Sequence, residues 1–252
     1  CKNRVYRNTV LLIFSLLFYS WGEPKLIVMM LLASLVAYVA GLLIEKYHKR
    51  KNKRAKKRVF IVALCLLVGN LVFFKYTNFI TDNLSLILNK NFNIGNIVLP
   101  IGISFYTFQI LSYSVDVYRG DVKAQKNIIT LASYVALFPQ LIAGPIVRYT
   151  TIEEELTKRT HSFENFSYGV TRFIIGLSKK ILIANILGEL VETFKSSNEK
   201  SVVFFWLYAV SYALHIYFDF SGYSDMAIGL GRIFGFNFLE NFNYPFISKS
   251  AT

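Results

Sequence analysis

Long apolar runs constrain this chain more than any other feature of its sequence. The run from Leu26 to Ile44 has no charged side chain, and as a helix it is long enough to cross the ~30 Å hydrocarbon core of a bilayer. Comparable runs cover Val59 to Tyr76, Ile97 to Val117 and Val202 to Phe218. A backbone in hydrocarbon must satisfy its own hydrogen bonds, so these runs predict an all-α, polytopic transmembrane protein. We expect residues 1 to 252 to form a single membrane-embedded domain.

The composition excludes an ordinary soluble domain. Hydrophobic residues make up 54% of the chain and charged residues 17%, whereas a soluble domain carries about 25% charged residues. Aromatic residues reach 16%. Such a content suits lipid-facing surfaces and interfacial belts, where a tyrosine keeps its ring in hydrocarbon and its hydroxyl in water.

The charge distribution gives an orientation. The net charge is +13, and nine lysines and arginines lie between Lys46 and Arg58, in the loop between two apolar runs. The positive-inside rule therefore places this loop in the cytoplasm, next to anionic headgroups, and favours membrane lipid over nucleic acid as its partner. Thr9 to Trp21 is apolar but short, and with the next run it predicts a helical hairpin with both ends cytoplasmic. The polar stretch from Asn78 to Asn96 is expected as an outer loop with some interfacial helix. A second cytoplasmic loop is predicted by Asp116, Arg119, Asp121, Lys123 and Lys126.

Two segments depart from a simple span. Ile128 to Val147 contains Pro139, Gly144 and Pro145. Proline breaks a helix, so a re-entrant or kinked segment is as favoured here as an unbroken span. Glu153 to Glu155 begins a short amphipathic helix.

The second departure is the amphipathic run from Phe166 to Val191, which is interrupted by Lys179 and Lys180. Each lysine would cost roughly 2.5–3.5 kcal/mol at the bilayer midplane. We expect both at a membrane edge or facing a cavity.

Polar side chains cluster between His215 and Asp225, inside and beside the last long apolar run. On a helix His215 and Asp219 lie one turn apart, and so do Ser221 and Asp225. The first pair is either an oriented general base or a structural hydrogen bond between two buried groups. No third ligand is spaced to complete a metal site.

Two further patterns concern packing. Gly229 and Gly231 predict close helix packing by small residues. Phe105, Tyr106, Phe108 and Gln109 form either a polar-aromatic lining or a lipid-facing surface.

Four segments together resemble the membrane-bound O-acyltransferase (MBOAT) family, most closely its alginate O-acetylation branch and more distantly its D-alanyl-teichoic-acid branch. They are Tyr6 to Pro24, Leu99 to Gln109, Phe138 to Arg148, and Ile216 to Gly231 with its continuation Asn243 to Phe246. The last two are the specific ones. The resemblance runs essentially end to end and implies a partial MBOAT fold with broken or re-entrant helices.

The family pattern implies a membrane enzyme of a bacterial inner membrane. Its donor would be a cytoplasmic acyl thioester, acetyl-coenzyme A or similar, with no bound cofactor or metal. Its acceptor would be a hydroxyl of an extracytoplasmic polysaccharide or a partner protein that completes the transfer. The family pattern has one more helix before this sequence and a catalytic histidine downstream of Thr252, so we expect a piece that is truncated at both ends and inactive alone. Broken helices around Pro100, Pro139 and Pro145 would fit the walls of a water-poor tunnel.

The resemblance and polarity together suggest no catalytic residue within this chain, but several tunnel-lining or substrate-binding candidates. These are Gln109, Gln140, Asp219, Ser221, Tyr223, Asp225 and Asn243. Two alternatives remain. A secondary transporter or channel would also use discontinuous helices and a buried carboxylate, although no internal repeat is visible. An inactive scaffold fragment is the other.

Overall fold

The computed structural model describes residues 4–88, 95, 97–141, 144, 147–199 and 201–249. Within these residues the regular structure is helical, and no strand occurs, which confirms the all-α prediction. The helices are α1 (Arg4–Gly22), α2 (Ile27–Lys49), α3 (Lys53–Leu88), α4 (Ile103–Arg119), α5 (Ile128–Val135), α6 (Tyr149–Thr157), α7 (Phe163–Ser178), a π segment (Lys179–Ala184), α8 (Asn185–Ser196), α9 (Val202–Ile233) and a 3-10 turn (Pro245–Ile247).

Three of these helices are long and apolar enough to cross a membrane: α2, α3 and α9. At 1.5 Å per residue they are about 35, 54 and 48 Å long, against a hydrocarbon core of ~30 Å. They contain the apolar runs predicted at 26–44, 59–76 and 202–218. The chain is therefore a membrane protein with several long apolar helices.

The chain forms two compact units. The first comprises Cys1–Ile142 with Arg148–Thr157, and the second comprises Ala143–Val147 with Lys158–Thr252. The single membrane-embedded domain that the sequence predicts stays a prediction.

Helix α3 is longer than the sequence predicts, because it continues to Leu88 through residues expected in a loop. Asn78 explains the difference. Its side-chain amide donates to the Ile97 carbonyl at 3.0 Å, and its side-chain oxygen accepts from the Ile97 amide at 3.1 Å. A polar residue with such partners does not need to leave the helix. Of the remaining predicted loop, residues 89–94 and 96 lie outside the described residues.

Helix α4 is shorter than its apolar run. It begins at Ile103 because Pro100 cannot donate a hydrogen bond and Gly102 has the left-handed φ of 73° at the N-cap. It ends before Gly120, whose φ is 92°. Its 17 residues give a length of about 25 Å.

Helix α5 has only eight residues and ends at Val135, before Pro139. A helix of that size is about 12 Å long, so an unbroken helical span over 128–147 is wrong. The broken form of this segment is confirmed. Its re-entry stays a prediction, and residues 142, 143, 145 and 146 lie outside the described residues. Helix α6 contains the predicted 153–155 turn but starts earlier, at Tyr149.

The first unit is built on α2, which packs against both α3 and α4, while α1 packs against α5. A Cβ atom at Gly41 of α2 would lie 2.7 Å from the Tyr113 hydroxyl of α4. A larger residue at this position would require the Tyr113 side chain to move.

The second unit is a helical pair in which α7, the π segment and α8 run along α9. Glycines in both partners make the contact. A Cβ at Gly176 would lie 2.5 Å from the Gly222 carbonyl, and a Cβ at Gly229 would lie 2.5 Å from the Gly169 carbonyl. The packing role predicted for Gly229 is thus confirmed, whereas Gly231 faces the ring of Phe238.

Candidate functional site

A polar core in the first unit brings two of the predicted site residues together. Gln109 of α4 donates from Nε2 to the Tyr134 carbonyl at 2.9 Å, and Gln140 donates to the same oxygen at 3.0 Å. This carbonyl is available because α5 ends at Val135, and the last carbonyls of a helix have no intrahelical donor. Gln109 and Gln140 are 5% and 3% exposed. The short helix therefore creates the acceptor around which both amides assemble.

Several polar atoms of this unit are buried and lack a hydrogen-bond partner among the described residues. They are Tyr106 Oη, Thr107 Oγ1, Asp116 Oδ2 and Gln140 Oε1. Such groups are uncommon in folded proteins, because an unsatisfied buried polar atom costs about 1–3 kcal/mol. They can bond to a polar group that enters the unit. Phe108 is exposed while Tyr106 and Gln109 are buried, so α4 has a polar-aromatic interior and an exposed side, which stays a prediction as a lipid-facing surface.

Tyrosines hold this core in place. The Tyr149 ring lies edge-on to Tyr113 and to Tyr134, with centroids 4.9 and 5.2 Å away. Gln125 donates to the Tyr149 hydroxyl at 2.9 Å. Burial raises the pKa of Tyr149 to about 12, so its hydroxyl is protonated at neutral pH. These contacts fix the end of α5 that presents the Tyr134 carbonyl.

An ion pair closes the first unit near α4. Arg148 donates from Nη2 to Asp116 Oδ1 at 2.5 Å, and the Asp116 side chain is 1% exposed. The hydrogen bond to Asp116 raises the pKa of Arg148 above its usual value. The assignment of Asp116 and Arg119 to a loop is wrong, because both lie inside α4. The cytoplasmic side of this region stays a prediction.

Charged side chains form a network of ion pairs in the second unit. Asp225 is its centre and is 5% exposed. Its Oδ1 accepts from Arg172 Nε at 3.0 Å and from Nη2 at 2.7 Å, and its Oδ2 accepts from Lys179 Nζ at 2.6 Å. Arg172 also pairs with Glu240 at 2.6 Å. We call the set the charged layer; its members are Arg172, Lys179, Lys180, Asp219, Asp225 and Glu240.

The π segment explains why two consecutive lysines both find partners. Lys179 pairs with Asp225, and Lys180 pairs with Asp219. Asp219 and Asp225 are six positions apart, so they lie on different faces of α9. The wider turn at Lys179–Ala184 begins at these lysines, and π turns inside helices often mark functional sites. Pairing offsets the cost of two cations in an apolar run; their predicted position at a membrane edge stays a prediction.

His215 does not pair with Asp219. Its Nδ1 lies 2.8 Å from the Ala184 carbonyl, at the end of the π segment, while Asp219 binds Lys180. The direct His–Asp hydrogen bond is therefore wrong, and so is a general base oriented by Asp219. His215 instead contacts a backbone carbonyl of the neighbouring helix, and its structural role stays a prediction.

The remaining predicted site residues are Ser221, Tyr223 and Asn243. Ser221 lies on α9 one turn before Asp225, and its hydroxyl is buried without a partner among the described residues, as is that of Ser224. Tyr223 is half-buried on the same helix. Asn243 is exposed and lies beyond α9. Within the described residues, no three His, Cys, Asp or Glu side chains come together as a metal site.

Sequence reasoning missed Arg172 and Glu240. A signal for Arg172 was present, because Arg172 and Lys179 are seven positions apart and so share one helix face. A buried carboxylate such as Asp225 requires a cation. The two observations together point to the pairing that the structure shows. Glu240 follows the end of α9 and offered no such signal.

Comparison with known proteins identifies the family of this chain. The profile described as MBOAT, membrane-bound O-acyltransferase family, matches residues 14–249 and so covers both units. The chain belongs to the membrane-bound O-acyltransferase family. This confirms the resemblance based on the four segments.

This MBOAT chain is similar to several named proteins. It is 43% identical over 251 residues to the probable alginate O-acetylase AlgI of Pseudomonas aeruginosa, covering 98% of this chain and 48% of the relative. It is 30% identical to the peptidoglycan O-acetyltransferase of Helicobacter pylori over 97% of this chain and 51% of the relative. It is 28% identical to the teichoic acid D-alanyltransferase of Bacillus subtilis over 62% of this chain and 40% of the relative. The chain thus spans about half the length of the relatives that it matches along its whole length.

Proposed function

We propose that the protein acts in O-acylation of a cell-surface polymer. An acyl group, with acetyl first among the candidates, moves from a cytoplasmic thioester such as acetyl-coenzyme A towards hydroxyls of an extracytoplasmic polysaccharide, directly or through a partner protein. The observation that carries this proposal is the 43% identity to a probable alginate O-acetylase over 98% of the chain. The transfer would take place in the inner membrane of a bacterium, with the 46–58 loop in the cytoplasm.

The polar cores suit a supporting role in this transfer. A thioester is protected from hydrolysis only where water is excluded, and acyl transfer still needs polar groups to orient its reactants. Gln109 and Gln140 are buried amides fixed on one carbonyl, and Ser221 and Ser224 are buried hydroxyls. We propose that these residues, with Asp219, Tyr223 and Asp225, are lining or substrate-binding residues, each within its own unit. Asn243 is exposed and would meet a reactant only at the protein surface.

The catalytic base is proposed to be a histidine downstream of Thr252. His215 is bonded to the Ala184 carbonyl, and His48 Nδ1 lies 2.9 Å from Lys56 Nζ on the basic side of the first unit. Both are engaged with groups that have no part in the transfer. An ion-coupling role for Asp225 is not favoured either, because both of its oxygens already bind cations.

Ester content of the cell surface tests the proposal. Polymer-bound ester is measured with alkaline hydroxylamine in cells with the gene, without it, and with the gene restored. We expect loss on deletion and recovery with the wild type. Recovery should fail for Gln140→Leu, which removes the shared amide contact, and should persist for Lys57→Gln, an exposed control. Ester content that is unchanged by deletion in every growth condition would refute the function.

A further inference from the structure

A groove of about 470 Å³ runs between α2 and α3 in the first unit. Nine of its ten lining residues are apolar, and the tenth is Arg58. The lining residues are Leu35, Val36, Val39, Ala40, Leu43, Arg58, Val59, Val62, Ala63 and Leu66. The groove therefore combines a dry surface with one permanent positive charge.

Two alanines create the depression. Ala40 and Ala63 are 6% and 3% exposed, whereas the flanking Val39 and Val62 are 46% and 58% exposed. Small residues on both helices face one another and larger ones stand on either side. The groove therefore has small alanines at its base and larger β-branched valines along its sides. It is open on the side that we expect to face lipid.

The antiparallel course of the two helices gives the groove a direction. Leu43 and Arg58 lie towards the basic loop, and Leu35 and Leu66 lie at the far end. Eight residues of helix separate the two ends on each side, or about 12 Å. One leaflet contributes about half of the ~30 Å hydrocarbon core, so the groove has the depth of a single leaflet.

Arg58 has no carboxylate partner among the residues that the structure describes, although six other cations in that part of the chain do. Glu45, an acid on α2 towards the same loop, is bound to Lys49 and to the Ala124 amide. The Arg58 guanidinium is exposed at the mouth of the groove, within the run of cations from Lys46. A guanidinium in that position is ready for two parallel hydrogen bonds to a phosphate.

We propose that this groove binds an anionic phospholipid. One acyl chain lies along the Ala40–Ala63 floor, and the headgroup phosphate rests on the Arg58 guanidinium. The basic side chains next to Arg58 select an anionic headgroup over a zwitterionic one, as basic pockets between membrane helices do elsewhere. A covering helix would match this site only if it placed a carboxylate opposite Arg58, whereas a phospholipid supplies both the apolar chain and the anion. The site is independent of the acyl transfer proposed above.

Lipid binding to the full-length protein tests this site. The protein is purified in detergent, stripped of lipid, and titrated with phosphatidylglycerol or phosphatidylcholine while bound lipid is counted by native mass spectrometry. We expect phosphatidylglycerol to bind in preference. Arg58→Gln should weaken its binding about tenfold, the equivalent of one charge-assisted contact of 1.4 kcal/mol. Lys57→Gln removes the same charge from a neighbour outside the groove, and should weaken binding much less than Arg58→Gln does.

A second pair of variants tests the acyl chain. Val62→Trp fills the groove and should reduce phosphatidylglycerol binding. Ile61→Trp adds the same ring at the same depth on an exposed position outside the groove, and should not. Equal binding of both lipids, or equal binding by Arg58→Gln and Lys57→Gln, would overturn the proposal. Failure of the wild type to bind either lipid would overturn it too and would point to a protein segment as the occupant.

Discussion

At the scale of the residue, Asp225 determines whether the charged layer holds. It is buried, and it neutralises Arg172 and Lys179 at once. In Asp225→Asn, Lys179 loses its carboxylate partner and Arg172 keeps only Glu240. We expect a loss of about 3 kcal/mol, at the low end for a broken buried pair because both cations are partly exposed. The midpoint of thermal unfolding in detergent measures the loss. Asp219→Asn is the control, since Asp219 is 34% exposed and has one cation. A loss at Asp219 as large as that at Asp225 would contradict this view.

The sequence predicted several residues of this site but not the partners to which they bind. Asp225, Asp219 and Ser221 were found because a polar group in an apolar run is visible along one segment. The pairing of His215 with Asp219 was wrong because a helical spacing permits a contact without requiring it. Each residue found a better partner on another helix. Partners across helices are fixed by packing, which the spacing of one helix does not contain.

At the scale of the element, glycines set how closely α7 and α9 approach. A methyl group at Gly176 or Gly229 would meet a backbone oxygen at 2.5 Å, so the helices would have to separate. We expect Gly176→Ala and Gly229→Ala to lower the yield of folded protein on size-exclusion chromatography. Gly69→Ala on α3 is the control, because nothing lies within 4 Å of the added atom. There alanine should stabilise the helix by about 0.5–1 kcal/mol. Normal folding of both buried variants would show that the contact is not tight.

The positions of the helices could be predicted where long apolar runs dominate the sequence. The ends of the helices were harder to predict where a side chain bonds to the backbone of another segment. The apolar cores of α2, α3 and α9 follow directly from their composition. The end of α3 does not, because Asn78 remains helical through its bond to Ile97. The glycine contact had a signal that went unused: Gly169 and Gly176 are seven apart, as are Gly222 and Gly229, so each pair shares a face.

At the scale of the whole molecule, charge and helix length together predict a topology. Helix α3 is about 54 Å long and exceeds the ~30 Å core, so its ends, Lys53 and Leu88, should lie on opposite sides of the membrane. The nine cations between Lys46 and Arg58 predict, by the positive-inside rule, that the Lys53 end lies in the cytoplasm. The structure makes this a sharper test than the sequence did, because Leu88 is helical and 53% exposed.

Chemical labelling of single cysteines tests this topology directly. In a background that lacks Cys1 and Cys65, Lys53→Cys and Leu88→Cys are treated with a membrane-impermeant maleimide in intact cells and after permeabilisation. We expect Leu88→Cys to react in intact cells and Lys53→Cys to react only after permeabilisation. Replacing the cations between Lys46 and Arg58 by glutamine should weaken this orientation, because the positive-inside preference depends on lysine and arginine near the helix ends. Reaction of Lys53→Cys in intact cells would reverse the orientation, and would place the Arg58 end of the lipid groove in the outer leaflet.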